Sequence, residues 1–331
     1  MHRIIEKKGV ALMSRKQISK TSVIDFIINN AAILMCVILI IYNSVFTAKF
    51  FQINTLWNML SQTASLMFVT MGMTIVISAG CTDLSVGAIM AISSSICGEL
   101  ILATGNEALA MVIAIAACLF CGLVNGTLVA KCNLQPMVAM LVTRMVYRAW
   151  AQIYTSGIAR TVNSAFGRLI AQTRLFSFRM PVIVIPMVFI ICLAAFIVKK
   201  TRFGKYVEAV GNNQRTAYLC GISVTGTIMA VYLLSAFFAS MAGMIELFRS
   251  GATDANTIGI DYEMSAIAAT TIGGTSMRGG KARLLGAAAG ALLMTLITMT
   301  VNFTNITYQM ANVLKAVIII MALAMQSANR S

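Results

Sequence analysis

The sequence predicts an all-α polytopic membrane protein of about ten transmembrane or re-entrant helices. Three observations carry that prediction. Of 331 residues, 59% are hydrophobic and only 11% charged, a balance no ordinary soluble domain shows. Apolar runs of bilayer-spanning length recur along the chain. Only three prolines accompany 23 glycines, as expected of helices that approach closely across small residues.

The first 22 residues carry His2, Arg3, Lys7, Lys8, Arg15, Lys16 and Lys20 and form a basic tail expected in the cytoplasm. The run from Val23 to about Phe46 exceeds a signal-peptide core and lacks a small-residue cleavage site, so it reads as the first span. Further runs follow at roughly 62–80, 84–103, 107–130, 136–156, 181–199, 222–248, 260–275, 283–303 and 308–326. The segments 84–103 and 260–275 are short or rich in Gly, Ser and Thr, which suggests broken or re-entrant helices. The bundle thus occupies 23–327, with a short C-terminal tail at 328–331.

An even number of spans places both termini in the cytoplasm, beside Lys131, the group Lys199, Lys200, Arg202, Lys205 and Arg215, and the group Arg278, Lys281 and Arg283. The 25 Lys and Arg against 10 Asp and Glu therefore reflect a membrane topology and not a nucleic-acid partner. One segment resists this order. Residues 157–180 carry Arg160, Arg168, Arg174 and Arg179 and no acid, yet fall on the opposite side. Either the count slips by one there or these arginines meet an extracytoplasmic partner.

Two stretches, "SAGCTDLSVGAIMAISSSICG" at 78–98 and "TTIGGTSMRGGKARLLGAAAG" at 270–290, are each a glycine-flanked polar break between apolar runs. Duplicated halves, as in many transporters, and chance likeness both remain open. In the first, Asp83 stands between two apolar segments. A helix starting just after it would leave unpaired N–H groups that an aspartate accepts, so Asp83 reads either as a cap or, with Ser85, as a pathway residue facing solute. Glycines such as Gly80 and Gly87 allow close backbone approach. Thr275 and Ser276 are hydroxyl candidates for the pathway. Arg144 and Arg148, one helical turn apart in "LVTRMVYRAW", either snorkel or meet an acid such as Glu99 or Glu246.

Several chemistries are excluded. "GGTSMRGGKAR" lacks the spacing of a phosphate-binding loop, and Ala282 stands where a magnesium-binding hydroxyl belongs. The single histidine, His2, leaves no nucleophilic triad, and the eight cysteines read as packing residues, not as a zinc site or disulfide framework. No cofactor or metal is expected in this chain. An ion-coupled secondary transporter would share the hydropathy but should display a paired ion and substrate site, which only the Asp83 region approaches.

Three stretches in order, "GCTDLSVGAIMA" at 80–91, "TRFGKYVEAVGNNQRTAYLCGI" at 201–222 and "GIDYEMSAIAATTIGGTSMRGGKARLLG" at 259–286, resemble the membrane permease subunit of bacterial ATP-binding-cassette sugar importers of the ribose/xylose/galactose type. The family usually reads G-G-I-D-L-S-V-G in the first, so Gly80, Asp83, Leu84, Ser85, Val86 and Gly87 match while Cys81 and Thr82 depart. In the last, Glu263, Gly273, Gly274, Thr275, Ser276, Gly279, Gly280 and Gly286 match, with Ser265 standing where an aspartate is common. Permeases for branched-chain amino acids share much of this pattern and form the alternative.

The resemblance implies a multi-pass protein of the bacterial cytoplasmic (inner) membrane and a set of partners. These are a second permease chain, identical or paralogous, a cytoplasmic ATPase that holds the ATP and Mg, and an extracytoplasmic sugar-binding protein. It implies that the loop at about 200–221 couples to the ATPase through Glu208, Ala209, Gly211 and Asn213. By residue type, Glu208 to about Leu219 is expected to form a short helix ended by Gly221. Arg160, Arg168 and Arg174 then become candidates for docking the binding protein by charge.

Overall fold

The computed structural model describes residues 31–46, 50–175 and 180–303, with isolated helical positions at 310, 313, 316, 317 and 320. The tail at 1–22, the start of the first predicted span, Arg179, most of 308–326 and the tail at 328–331 lie outside the described residues.

The described chain is helical nearly throughout. Its helices are α1 (Ala31–Phe46), α2 (Ile53–Ser78), α3 (Val86–Thr104), α4 (Glu107–Ala130), α5 (Pro136–Tyr154), α6 (Ala165–Gln172), α7 (Val184–Lys200), α8 (Arg202–Asn212), α9 (Gln214–Leu219), α10 (Val224–Ser250), α11 (Tyr262–Ile272) and α12 (Leu284–Phe303). Four two-residue strands, β1 (Arg160–Thr161), β2 (Arg174–Leu175), β3 (Met180–Pro181) and β4 (Ala252–Thr253), form the antiparallel pairs β1–β4 and β2–β3. Among the described residues, five helices are long and apolar enough to cross a bilayer, namely α2, α3, α4, α10 and α12. A sixth span is counted if α7 and α8, bent by 72°, are taken together.

α2 and α10 form the centre. They run antiparallel, Gly72 lying against Ser235 and Phe238 while Ser65 meets Glu246 toward the other end. Around them pack α3, α4, α7, α11 and α12. α3 runs parallel to α10, its Ser93 hydroxyl donating to the Ser240 carbonyl at 2.8 Å and Gly98 touching Thr253. α4 runs the opposite way, with Gly122 against Tyr232 and Gly126 against Met229. Large apolar side chains outside this core stay exposed, such as Phe120 at 66%, Met145 at 66% and Phe189 at 64%. Exposed apolar surface of this kind is compatible with hydrocarbon contact.

Two predicted irregularities resolve differently. Within 84–103, the chain from Val86 on forms the unbroken helix α3, and the serines that made it doubtful face the bundle: Ser93 bonds Ser240, and Ser94 and Ser95 are buried. Residues 260–275 hold an 11-residue helix, α11, preceded by an irregular segment from Asp254 to Asp261. The short helix expected over Glu208–Leu219 is instead two. Asn213 breaks it in an extended conformation and accepts from the Thr216 N–H at 3.0 Å, capping α9, while Gly221 at φ +79° ends the turn. The cysteines Cys118 and Cys121, in C-x-x-C spacing on α4, are buried free thiols, and Cys118 Sγ contacts the Ile89 carbonyl at 3.7 Å.

The helix directions sort the charges. Lys131, Lys199, Lys200, Arg202, Lys205, Arg215, Arg278, Lys281 and Arg283 gather at the end that carries α8 and α9. Arg160, Arg168 and Arg174 sit at the opposite end of α10, a helix of 27 residues. At a rise of about 1.5 Å per residue the two ends are roughly 40 Å apart.

Candidate functional site

The first polar break, 79–85, turns the chain from α2 into α3 inside the bundle. Asp83 is fully buried. One carboxylate oxygen accepts from the Ser85 N–H at 3.0 Å and the Ser85 hydroxyl at 2.6 Å, and the other accepts from the Ser235 hydroxyl at 2.7 Å. α3 starts at Val86 with Ser85 in the N-cap position, so the carboxylate closes the turn ahead of the helix instead of capping its first free N–H. Asn125 of α4 donates to the Ser85 hydroxyl at 2.8 Å, and Tyr147 of α5 donates to the Asn125 side-chain oxygen at 3.0 Å. Tyr232 closes the set by donating to the Thr82 carbonyl at 3.0 Å. One carboxylate thus joins α3, α4, α5 and α10 through hydrogen bonds, the condition for keeping polar groups inside a bilayer.

Gly87 marks where this break touches the segment before α11. A Cβ there would overlap the Gly259 carbonyl and the Glu263 carboxylate. The Gly87 carbonyl accepts from Arg148 at 3.1 Å, and the same guanidinium donates to the Ala255 carbonyl at 2.9 Å and the Ile258 carbonyl at 2.6 Å. Arg144, one turn earlier, pairs with buried Glu263 at 2.6 Å. The arginine pair of α5 therefore does not meet Glu99 or Glu246. Glu99 pairs with Arg160 at 2.9 Å, and Glu246 pairs with Arg249. Proximity of α5 to the α11 entry decides this, and sequence spacing cannot express it.

At the start of the same break the three motifs converge on Gly211. Its Cα lies so close to the last turn of α2 that a Cβ would overlap the Ser78 carbonyl. Gly279 and Gly280 close the same junction, at φ +96° and +102°, values that favour glycine. The Gly280 N–H donates to the Ser78 carbonyl at 2.9 Å, and the Ser78 hydroxyl returns a bond to the Gly280 carbonyl. Ser78–Gly80, Gly211 and Gly279–Gly280 thereby form one backbone contact. Ala209 also packs inward, whereas Glu208 is half-exposed 3.9 Å from Lys205, and Asn213 is exposed as the cap of α9. Beyond it, Tyr218 and Leu219 protrude, 71% and 78% exposed.

Thr275 and Ser276 lie in the loop between α11 and α12. Thr275 is buried and accepts from the Arg283 N–H at 3.0 Å, and Ser276 accepts from the Arg278 N–H at 3.2 Å. They sit beside the Gly211 junction, away from Asp83 and Ser85. Arg168 on α6 and Arg174 on β2 are exposed at the far end. Arg160 shares that end but is paired with Glu99.

Asn125, Tyr147, Ser235 and Ser78 were not singled out by sequence reasoning. Asn125 and Ser235 are isolated polar residues within spanning runs, which is itself a signal that a partner waits inside the bundle. Ser78, the last residue of an apolar helix, carries no such mark.

The family described as branched-chain amino acid transport system / permease component matches residues 55–323. The ribose import permease protein of Escherichia coli is 33% identical over 301 residues, covering 90% of this chain and 93% of that protein. The fructose import permease protein of Bifidobacterium longum is 33% identical over 305 residues, 90% of this chain and 86% of that protein. The galactofuranose transporter permease protein of Escherichia coli is 34% identical over 270 residues, 82% and 79% of the two chains. No solved structure matches the chain. A match over most of the spanning region, with the three motifs folded onto one junction, makes this chain a member of the branched-chain amino acid transport system permease-component family.

Proposed function

We propose that this chain is the membrane-spanning permease subunit of an ATP-binding-cassette importer for a monosaccharide or related small polar solute. The observation that carries this reading is the junction at Gly211, where the loop between α7 and α10 rests on both polar breaks of the bundle. A push on α8 and α9 from a cytoplasmic ATPase, which holds the ATP and Mg, reaches α2, α3, α11 and α12 through backbone contacts with no side chain between them. Glu208 and Asn213 face the ATPase, and Gly211 transmits. The relatives' names favour sugars over amino acids as the solute.

In this reading the basic end faces the cytoplasm of a bacterial inner membrane, in keeping with the positive-inside bias. α1, α3, α5, α10 and α12 rise from it, while α2, α4, α7 and the segment 252–272 return. The apolar run at 308–326 lies mostly outside the described residues; read from the sequence as a tenth crossing, it would leave both termini cytoplasmic. A second permease chain, identical or paralogous, completes the pathway. Arg160, Arg168 and Arg174 lie outside and attract acidic residues of a sugar-binding protein.

Reconstitution of the chain with its ATPase and binding protein in proteoliposomes tests these points together. ATP-dependent uptake of labelled ribose or fructose is expected, from complexes whose intact mass contains two permease chains. Uptake of leucine with no uptake of either sugar would favour the amino acid alternative, and a mass with one permease would reject the dimer. Glu208→Trp should assemble normally yet lower uptake and ATPase stimulation at least tenfold. Exchange of all three arginines for glutamate should weaken binding-protein affinity at low salt, and an unchanged affinity would remove the docking role.

A further inference from the structure

We infer that the permease itself holds the solute in transit, in a cavity built around the first turn of α11. This rests on the importer reading above. The cavity measures about 230 Å3 and is lined by Gln62 of α2, Arg249 of α10, Tyr262 and Ser265 of α11, and Thr295 and Thr298 of α12. Asp261, which precedes α11, also faces it, with Leu66 and Met294 behind. None of Asp83, Ser85, Gly87, Thr275 and Ser276 takes part.

Polar groups at bundle depth must meet protein, water or solute, because hydrocarbon satisfies none of them. The lining sets amide, hydroxyl and phenol groups from α2, α11 and α12 beside the charged Arg249 and Asp261, all converging on one void. The Thr295 and Thr298 hydroxyls donate to their own helix, to the Ala291 carbonyl at 3.1 Å and the Met294 carbonyl at 3.0 Å. Each oxygen is left as an acceptor for an incoming O–H. Gln62 offers both a donor and an acceptor. The volume falls just below the ~300–1,000 Å3 of sites for drug-sized ligands, which suits a single small ring.

The charge pattern selects a neutral solute. Arg249, the cation of the lining, is already paired with Glu246, and Glu246 further accepts from Ser65 at 2.9 Å and from the Tyr262 hydroxyl at 3.3 Å. A free amino acid would need an uncommitted cation for its carboxylate, and among the described lining residues there is none. A polyhydroxylated ring needs only mixed donors and acceptors and some apolar surface, which Tyr262, Leu66 and Met294 supply.

The placement also ties occupancy to the power source. α11 has 11 residues, about 16 Å at the standard rise. Its first turn lines the cavity, and the loop that follows its last turn carries Gly279 and Gly280 into the Gly211 junction. A solute held at Tyr262 and Ser265 therefore bears on the same helix whose far end rests on α8.

Uptake of labelled ribose and fructose by the reconstituted importer provides the test. Thr298→Val keeps the side-chain volume and removes the hydroxyl; it should lower uptake efficiency three- to tenfold through KM and change the ribose-to-fructose ratio more than threefold. Ser265→Phe should fill the cavity and lower uptake of both sugars at least tenfold, with the melting temperature of the detergent-solubilised permease reporting its fold. Thr127→Val, on the lipid side of α4, should leave uptake and the ratio unchanged. If Thr298→Val keeps the parental KM and ratio and Ser265→Phe transports at the parental rate, the cavity is not the solute site, although the importer reading stands. If the parent complex imports neither sugar, the choice of sugar as solute falls and the cavity proposal falls with it.

Discussion

The two glycine-flanked polar breaks, 79–85 and 273–283, share a sequence grammar and the same local plan, a helix descending into the break and another rising from it. Their chemistry differs. The first lies inside the bundle, and Asp83 closes it with three hydrogen bonds from Ser85 and Ser235. The second lies at the basic end and carries Arg278, Lys281 and Arg283, with glycines at φ +91°, +96° and +102° shaping its turns. The two meet through Ser78 and Gly280, and both touch Gly211. Depth in the membrane accounts for the difference. A break surrounded by helices must satisfy its backbone from side chains, whereas one at the water boundary can use conformation and solvent.

Gly211→Leu strikes both breaks at once and should have the largest effect. Its side chain would displace the Ser78 and Gly279 backbones, so ATPase stimulation and uptake should fall more than tenfold while the chain still inserts. Wild-type coupling in this variant would mean that the breaks do not share a junction. Asp83→Ala acts on the first break alone, leaving buried hydroxyls and an N–H without an acceptor. Denaturation in micelles should show a loss of about 2 kcal/mol, and combination with Ser235→Ala should be less than additive, since both remove one bond. Additive losses would show that the carboxylate does not hold the network. Arg278→Ala, on the exposed break, should change stability by no more than about 0.5 kcal/mol. A loss equal to that of Asp83→Ala would erase the distinction between the breaks.

The two polar breaks were legible before the fold was known. The polar residues Asp83, Ser85 and Gly87 stand out against apolar neighbours, and the glycine pairs at 273–274 and 279–280 announce sharp turns. The inward direction of Gly211 did not, because a glycine in a soluble-looking loop reads equally as a turn. Nor did the split of α8 from α9: Asn213 is tolerable within a helix by propensity, and only its extended backbone and its bond to Thr216 reveal a cap. The arginines of α5 were visible as a pair at one face, but their partners were misplaced. Glu263 and the carbonyls of Ala255 and Ile258 are more than 100 residues away in the chain, and no local rule reaches that far.

The sequence by itself determined that this protein spans a membrane with many helices, which ends carry positive charge, and where the two glycine-flanked breaks fall. Those properties are sums over local segments, set by hydropathy, charge and glycine. Tertiary structure alone decided that the three motifs form one contact at Gly211, that Asp83 is answered by Ser235 while Asn125 holds Ser85, and that a polar cavity forms where α2, α10, α11 and α12 meet. Each of these joins residues from helices far apart in the chain, and such meetings follow from how whole helices pack, which no single segment encodes.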